Sequence, residues 1–170
     1  ELGILWQTGA ISPSHEHFIT NLVKQKIHIQ TELIQRKQAP QENQKVFVLY
    51  LPENEIHELG ILFLNYYILA QNYKTIFLGQ SLTTESLQTV MTFSDNLTFV
   101  TYLTVEPNKE EINDYLKNFY ETILSGSQSN LNILGPLQTF INPSALPPQI
   151  KLHPTFESFR LEFFGEQIFV

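Results

Sequence analysis

The segment ENEIHELG, residues 53–60, contains the residue types of a metal-ligand motif. Glu55 stands two residues before His57, and Gly60 follows three residues after it. An imidazole that binds a metal through one ring nitrogen usually donates its other N–H to a carboxylate, which fixes the ring. Gly60 has no side chain, so a bulky group can approach the backbone there. The spacing also suits an ordinary loop histidine before a helix, so it marks a candidate ligand and leaves the chemistry open.

A second candidate group is Trp6, followed after nine intervening residues by Glu16 and His17. An indole offers a large flat surface for a planar ligand. Ser12-Pro13 predicts the start of a helix, with Ser12 as its N-cap, so Glu16 and His17 fall in the first turns. His17 lies off the apolar stripe predicted for this helix. The alternative interpretation is a core tryptophan beside a solvated, acidic helix start.

Two further candidates, Thr101 and Gly135, lie at or near the ends of predicted strands. A strand threonine and a turn glycine explain them equally well. The sequence contains no phosphate-binding loop, no G-x-G-x-x-G, no nucleophile elbow and no H-E-x-x-H. We therefore expect a binding protein and not an enzyme.

The elements that must position these residues alternate between strand and helix. Residues 1–40 are predicted to form a helical cap, and the polar segment 36–45 a linker. Residues 45–170 form a second region, in which a helix is predicted at 58–73, another is predicted over TESLQTVMTF with Thr84 as its cap, and others cover about 109–124 and the end of the chain. Short apolar runs typical of buried strands occupy 46–51, 75–78, 97–103, 131–134 and 150–152. The alternation predicts a doubly wound parallel sheet, whose ligands bind at the carboxyl ends of the strands, where His57 falls.

Composition narrows the classes of partner. The net charge is −7, which argues against direct binding of nucleic acid, because that depends on clustered Lys and Arg. Cysteine is absent, so thiolate metal sites and disulfides are excluded, and a reducing, cytoplasmic location is expected. The longest apolar run, residues 59–70, is shorter than the roughly 20 residues of a membrane span, so no membrane partner is expected.

Taken together, Trp6-x9-Glu16-His17 and Glu55-x-His57-x-x-Gly60 resemble the cobalamin-binding effector domain of MerR-type transcriptional regulators, including the light-responsive repressors. The resemblance covers essentially the whole chain. It implies an α/β fold, a Rossmann-like, doubly wound, parallel five-stranded sheet of the flavodoxin-like B12-binding type, preceded by part of a helical bundle.

The resemblance also implies a role for each candidate. His57 would be the lower axial ligand to the cobalt of adenosylcobalamin or methylcobalamin, with Glu55 as its hydrogen-bond partner. Gly60 would leave room for the nucleotide tail, which would pass Thr101 and Gly135. The upper face of the cofactor would be covered by Trp6, Glu16 and His17.

The partners follow from the same resemblance. The helical region would act as a lid and as an oligomer contact, so we expect a homo-oligomer. DNA would be bound only through an N-terminal winged helix-turn-helix domain that is not part of this chain. The expected function is therefore that of the ligand-sensing and oligomerisation domain of a MerR-family regulator.

Three positions depart from the family pattern. Pro136 follows Gly135 where the family has a second glycine, and Gln7 stands where a second imidazole would adjoin the tryptophan. The spacing from Gly60 to Thr101 is one residue short, and a shift to Tyr102 would put a phenol in the path of the tail. These departures keep two alternatives open. One is a domain that binds no corrinoid and serves as a structural or oligomerisation module; the other is the corrinoid-carrying subunit of a methyltransferase.

Overall fold

The computed structural model describes residues 12–37 and 45–165. The helices of this part are α1 (Pro13–Lys37), α2 (Leu59–Ala70), α3 (Thr84–Leu87), α4 (Ile112–Phe119) and α5 (Phe156–Phe164). The strands are β1 (Val46–Pro52), β2 (Lys74–Leu82), β3 (Leu97–Tyr102), β4 (Asn130–Leu134) and β5 (Ile150–Leu152). Single turns of 3-10 helix occupy Gln88–Thr92, Pro136–Phe140 and Pro143–Ala145, and a π-helical turn, Tyr120–Leu124, extends α4.

The five strands form one parallel sheet in the order β2-β1-β3-β4-β5. The predicted five-stranded parallel α/β sheet is thus confirmed. The chain reverses its direction of travel across the sheet between β1 and β3, whose residues Tyr50 and Thr101 are partners. Neighbouring connections leave the sheet on opposite sides at such a point and open a crevice at the carboxyl edge. The segment that carries His57 directly follows β1 and begins at this crevice.

Each face of the sheet carries its own hydrophobic core, because consecutive strand residues point to opposite faces. On one face, Tyr50 and Phe99 pack against α4, and the Tyr50 ring stacks on Phe119 with centroids 5.7 Å apart. On the other face, Phe47 and Leu49 pack against α2 and against Phe159 of α5. Strands buried on both faces account for the continuous apolar runs of the sequence.

Helix α1 packs against α2, but not through the apolar stripe seen in the sequence. The residues turned toward the rest of the protein are polar and apolar in similar number: Glu16, Thr20, Lys24 and the buried Thr31, together with the half-buried Ile19, Ile27 and Ile34. The stripe faces outward: Phe18 is 64% exposed, and Leu22, Ile29 and Leu33 are also exposed. Because Phe18, Leu22, Ile29 and Leu33 lie on the side of α1 away from these contacts, they form an apolar surface that the rest of the described chain leaves exposed.

Two local expectations need correction. The third helix is capped by Thr83, not Thr84, since the Thr83 hydroxyl accepts a hydrogen bond from the backbone N–H of Ser86. It is also only four residues long before it tightens into 3-10 geometry.

Within residues 12–37 and 45–165, no helix is long and apolar enough to cross a membrane.

Candidate ligand site at the carboxyl edge of the sheet

The site is built around the carboxylate of Glu55, which is completely buried. Its Oε2 accepts three consecutive backbone N–H groups from the loop after β3, those of Thr104 at 3.1 Å, Val105 at 2.7 Å and Glu106 at 3.0 Å. Its Oε1 accepts the backbone N–H of His57 at 2.9 Å and lies 2.7 Å from the Nδ1 atom of the same residue. Glu55 therefore joins the loop after β1 to the loop after β3.

These contacts set the protonation of Glu55. Burial by itself raises the pKa of the carboxyl group, but the hydrogen bonds from Val105, Glu106 and His57 outweigh it and lower the pKa to about 2. The carboxylate is therefore ionised near neutral pH and only accepts hydrogen bonds. It follows that Nδ1 of His57 carries a hydrogen, and in the neutral ring Nε2 then keeps its lone pair.

The His57 side chain is 53% exposed, although its carboxylate partner is fully covered. A buried carboxylate that orients an accessible imidazole is the arrangement by which proteins hold a histidine ready to bind a metal. Within the described residues, no three His, Asp or Glu side chains are grouped so as to hold a metal ion between them.

A cleft of about 450 Å³ opens beside this imidazole. One wall is α1, which contributes Glu16 and Lys24, and the opposite wall is formed by the loop after β1 and the end of β3. The structure thus brings Glu16, His57 and Gly60 to one cleft. Tyr102, which the sequence suggested only as an alternative to Thr101, lines it as well.

The wall formed by α1 is held in place by an ion pair. Lys24 Nζ lies 3.0 Å from Glu58 Oε1, and both side chains are mostly covered. Burial raises the pKa of Glu58, but hydrogen bonds from Gln80 and Lys24, together with the charges of Lys24 and His28, lower it below its ordinary value. Glu58 is consequently charged at neutral pH and fastens α1 to the start of α2.

Carbon surface is exposed around the imidazole. Ile56, next to His57, is 60% exposed, and Phe63, one turn into α2, is also exposed; both line the cleft. Val105, whose backbone N–H binds Glu55, turns its side chain to solvent too. Exposed apolar residues that surround one polar group are typical of a surface that binds an organic ligand.

Gly60 and Tyr102 are in close contact. A Cβ atom placed on Gly60 would lie 3.0 Å from three carbons of the Tyr102 ring. Tyr102 also packs against the core formed by β1 and α2. The space beside Gly60, which the sequence suggested for a ligand, is therefore occupied by the phenol ring.

Thr101 and Gly135 are not part of the cleft. Val100 and Tyr102 belong to the α2 face of the sheet, so Thr101 between them points to the α4 face, where its buried hydroxyl has no hydrogen-bond partner in the described part of the chain. Gly135 has φ of 100°, and a Cβ there would lie 2.3 Å from the carbonyl oxygen of Leu103. The Leu103 backbone therefore accounts for this glycine.

The remaining candidates lie on or before α1. The His17 side chain is 76% exposed, outside the cleft, with its Nδ1 3.8 Å from a carboxylate oxygen of Glu16. Glu16 itself accepts a hydrogen bond from the Thr20 hydroxyl at 2.6 Å, which orients it along the helix. Trp6 lies outside the described residues.

Sequence reasoning missed Lys24 and the three N–H donors that hold Glu55, and it offered Tyr102 only as an alternative to Thr101. For Lys24 a signal existed, because Glu16, Thr20 and Lys24 recur every four residues and so form one polar helix face. The N–H donors carry no signal at all, since every residue except proline offers one.

Comparison with known proteins bears on the fold. No protein-family model matches the sequence, and no curated protein does. The monomethylamine corrinoid protein of Methanosarcina barkeri is similar in structure, with a TM-score of 0.67 and 11% sequence identity over 88% of this chain and 69% of that chain. A novel cobalamin-binding protein from Desulfitobacterium hafniense DCB-2 gives a TM-score of 0.46 and 10% identity over 82% of this chain and 66% of that chain, a score too low to establish a shared fold.

The first of these likenesses defines the class of the chain as a flavodoxin-like α/β protein with the arrangement of a B12-binding fold. At this identity the likeness concerns the fold, and what the site binds depends on its own residues.

Proposed function

We propose that this chain is a corrinoid-binding, ligand-sensing domain in which His57 is the lower axial ligand to cobalt. The observation that carries the proposal is the buried, ionised Glu55, which holds Nδ1–H of His57 and leaves Nε2 accessible at the edge of a cleft. The similarity to the fold of a corrinoid protein gives it a second, independent support.

The donor set suits a metal that is already held by a macrocycle, since such a metal has axial positions only and one histidine fills the lower one, as in haem proteins. Ile56 and Phe63 supply the apolar surface that a flat macrocycle needs beside that ligand. A bound corrinoid would supply a cobalt–carbon bond that light or a nucleophile can break. The protein's own contribution is to orient the imidazole and to cover the ligand with α1.

We infer a regulatory role from the same arrangement. Helix α1 contacts the sheet region through the Lys24–Glu58 ion pair and lines the cleft, so a ligand in the cleft touches both parts at once. A ligand that binds only the closed arrangement stabilises it, and the stabilisation increases with the ratio of ligand concentration to Kd. In a MerR-type regulator this closure would change the assembly of a homo-oligomer, and DNA would be bound by a separate helix-turn-helix domain, in keeping with the net charge of −7.

The test is a spectroscopic binding experiment with His57→Ala. The purified chain is mixed in the dark with adenosylcobalamin or with aquocobinamide, a corrinoid without the nucleotide tail, then desalted, and its visible spectrum is recorded. We expect the wild type to retain at least one corrinoid and His57→Ala to lose it, because His57 is the imidazole among the residues that line the cleft.

The matched control is His15→Ala, which removes another exposed imidazole outside the cleft and should leave binding unchanged. A colourless wild type with both corrinoids would contradict the proposal and favour a purely structural domain. Light scattering with and without corrinoid, before and after illumination, tests the change of assembly.

A second candidate function is that of a corrinoid-carrying subunit of a methyltransferase. It is favoured by the structural similarity to the monomethylamine corrinoid protein. The two functions differ in their chemistry, because a carrier must pass a methyl group to a partner enzyme. Transfer of labelled methyl from the methylcobalt form of the chain to a methyltransferase would favour the carrier over the sensor.

A further inference from the structure

The space under the cleft is filled by Tyr102. Its ring lies flat enough against Gly60 that three ring carbons would be 3.0 Å from a Cβ atom at that glycine. Tyr102 is half-buried, and it packs on the core between β1 and α2. The glycine therefore accommodates a side chain of this protein.

The second glycine of the supposed tail path is filled as well. The backbone of Leu103 passes so close to Gly135 that a Cβ atom would be 2.3 Å from its carbonyl oxygen and 2.7 Å from its nitrogen. Leu103 is hydrogen-bonded to Leu134 on one side and to Leu137 on the other, so this backbone is fixed. Pro136, the next residue, offers no N–H to a ligand.

These two contacts matter because of what an axial histidine displaces. A complete corrinoid carries its own nucleotide base on the lower face. If His57 took the lower position, the nucleotide base would be displaced from the cobalt. The protein would then need space for that base on the same side as His57. Beside His57 the route into the sheet passes Gly60, and there the Tyr102 ring closes it. A corrinoid that lacks the nucleotide needs no such space and can bind without entering this route.

We propose that this site selects corrinoids without the nucleotide tail, of the cobinamide type, and that Tyr102 is the residue that sets this specificity. The inference rests on the proposed corrinoid-binding function and deepens it by naming the ligand class. The inference also explains why the spacing from Gly60 differs from the family pattern: the phenol ring of Tyr102 excludes the nucleotide tail.

The test compares two ligands in three proteins. Aquocobinamide and hydroxocobalamin are titrated into wild type, Tyr102→Ala and Tyr102→Phe, and the dissociation constants are taken from the change in visible absorbance. In the wild type we expect cobinamide to bind at least about tenfold more tightly than cobalamin. Tyr102→Ala should bring the affinity for cobalamin to within about threefold of the affinity of the same variant for cobinamide.

Tyr102→Phe is the matched control, since it keeps the ring and removes only the hydroxyl, and it should retain the preference of the wild type. Equal binding of both corrinoids by the wild type overturns the inference and leaves the proposed function intact. Binding of neither corrinoid overturns both. Should Tyr102→Ala fail to give a cooperative unfolding transition, the wild-type comparison and Tyr102→Leu, which keeps an apolar side chain without the ring, decide the question.

Discussion

At the scale of single residues, the orientation of His57 depends on a carboxylate that solvent does not reach. Glu55 accepts five hydrogen bonds, three of them from the loop after β3. An ionised group in such surroundings is stabilised by its donors, and each bond to a charge contributes more than a neutral one. The same residue thus fixes the imidazole and ties two loops together.

Glu55→Gln tests this dependence. An amide can accept with one oxygen only, so its NH₂ group would face either the His57 donors or the N–H groups of Thr104, Val105 and Glu106. We expect a loss of about 3 kcal/mol in the free energy of unfolding, measured by urea denaturation at pH 7. Glu53→Gln makes the same charge change at an exposed neighbour and should cost under about 0.5 kcal/mol. Equal stability of the two variants would contradict the role given to Glu55.

The lowered pKa of Glu55 also fixes the direction of a pH effect. The pKa falls from an ordinary 4.5 to about 2 on folding, so the unfolded chain binds the proton more tightly. The resulting stabilisation is complete well above pH 4.5 and disappears as the pH falls toward 2, and it amounts to about 3 kcal/mol. Unfolding free energies between pH 6 and pH 2.5 should show this loss in the wild type and a smaller one in Glu55→Gln.

At the scale of elements, α1 is held against the rest of the protein by its packing on α2 and by one charged contact. The Lys24–Glu58 pair joins α1 to the residue just before α2, and both side chains are largely covered. Glu58 also lies at the N-terminal end of α2, where the partial positive charge of the helix favours an anion. Removing Lys24 should therefore loosen α1 more than it changes the sheet.

A double-mutant cycle measures this contact. Lys24→Ala, Glu58→Ala and the double variant should give a coupling energy of about 1 kcal/mol in urea unfolding at low salt, and less at high salt. Hydrogen exchange of α1 amides should accelerate in Lys24→Ala. Lys26→Ala, on the exposed side of the same helix, is the control and should change neither. A coupling energy of zero would mean that α1 is held by other contacts.

The same helix shows where sequence reasoning reaches its limit. The 3.6-residue spacing of Phe18, Leu22, Ile29 and Leu33 correctly indicated a helix, yet the stripe lies on the outer side. Periodicity reveals that a helix has an apolar face, but which surface that face meets depends on elements far away in the sequence. For β1 the prediction was simpler, because a run of apolar residues without alternation suits only a strand covered on both sides.

At the scale of the whole molecule, the exposed stripe of α1 is a candidate contact between copies of the chain, as the proposed homo-oligomer requires. Its four residues extend over 15 positions, about 22 Å of helix at 1.5 Å per residue. Large exposed apolar patches on soluble proteins usually mark an interface. A second copy presenting the same stripe would cover it in a two-fold arrangement.

Leu22→Glu combined with Leu33→Glu tests this contact. Two like charges facing their symmetry mates should shift the mass measured by sedimentation toward that of a single chain, without lowering the urea midpoint by more than the equivalent of about 1 kcal/mol. Leu161→Glu, at an exposed leucine of α5, is the control and should leave the mass of the wild type. A wild type that sediments as a single chain at every protein concentration measured would contradict the assignment.

The fold as a whole was accessible from sequence, whereas the site was accessible only in part. The strand–helix alternation predicted the parallel sheet, and the Glu55-x-His57 spacing located the pair that the structure brings within 2.7 Å. The spacing left open whether Thr101 or Tyr102 faces Gly60, because that contact joins β3 to α2 and depends on which face each residue of β3 takes. A shift of one residue in a strand reverses every face, which is why Thr101 and Tyr102 exchange places relative to the expectation.

The three backbone donors to Glu55 have a practical consequence for protein engineering. Grafting residues 53–60 alone onto another α/β scaffold would not reproduce the orientation of this imidazole. The carboxylate of Glu55 would be buried without the hydrogen bonds that the backbone N–H groups of 104–106 donate to it. The loop after β1 and the loop after β3 would have to be grafted together. Conversely, a library that varies the side chains at 104–106 while keeping their main-chain path should retain the histidine's pose, because the donors are peptide groups.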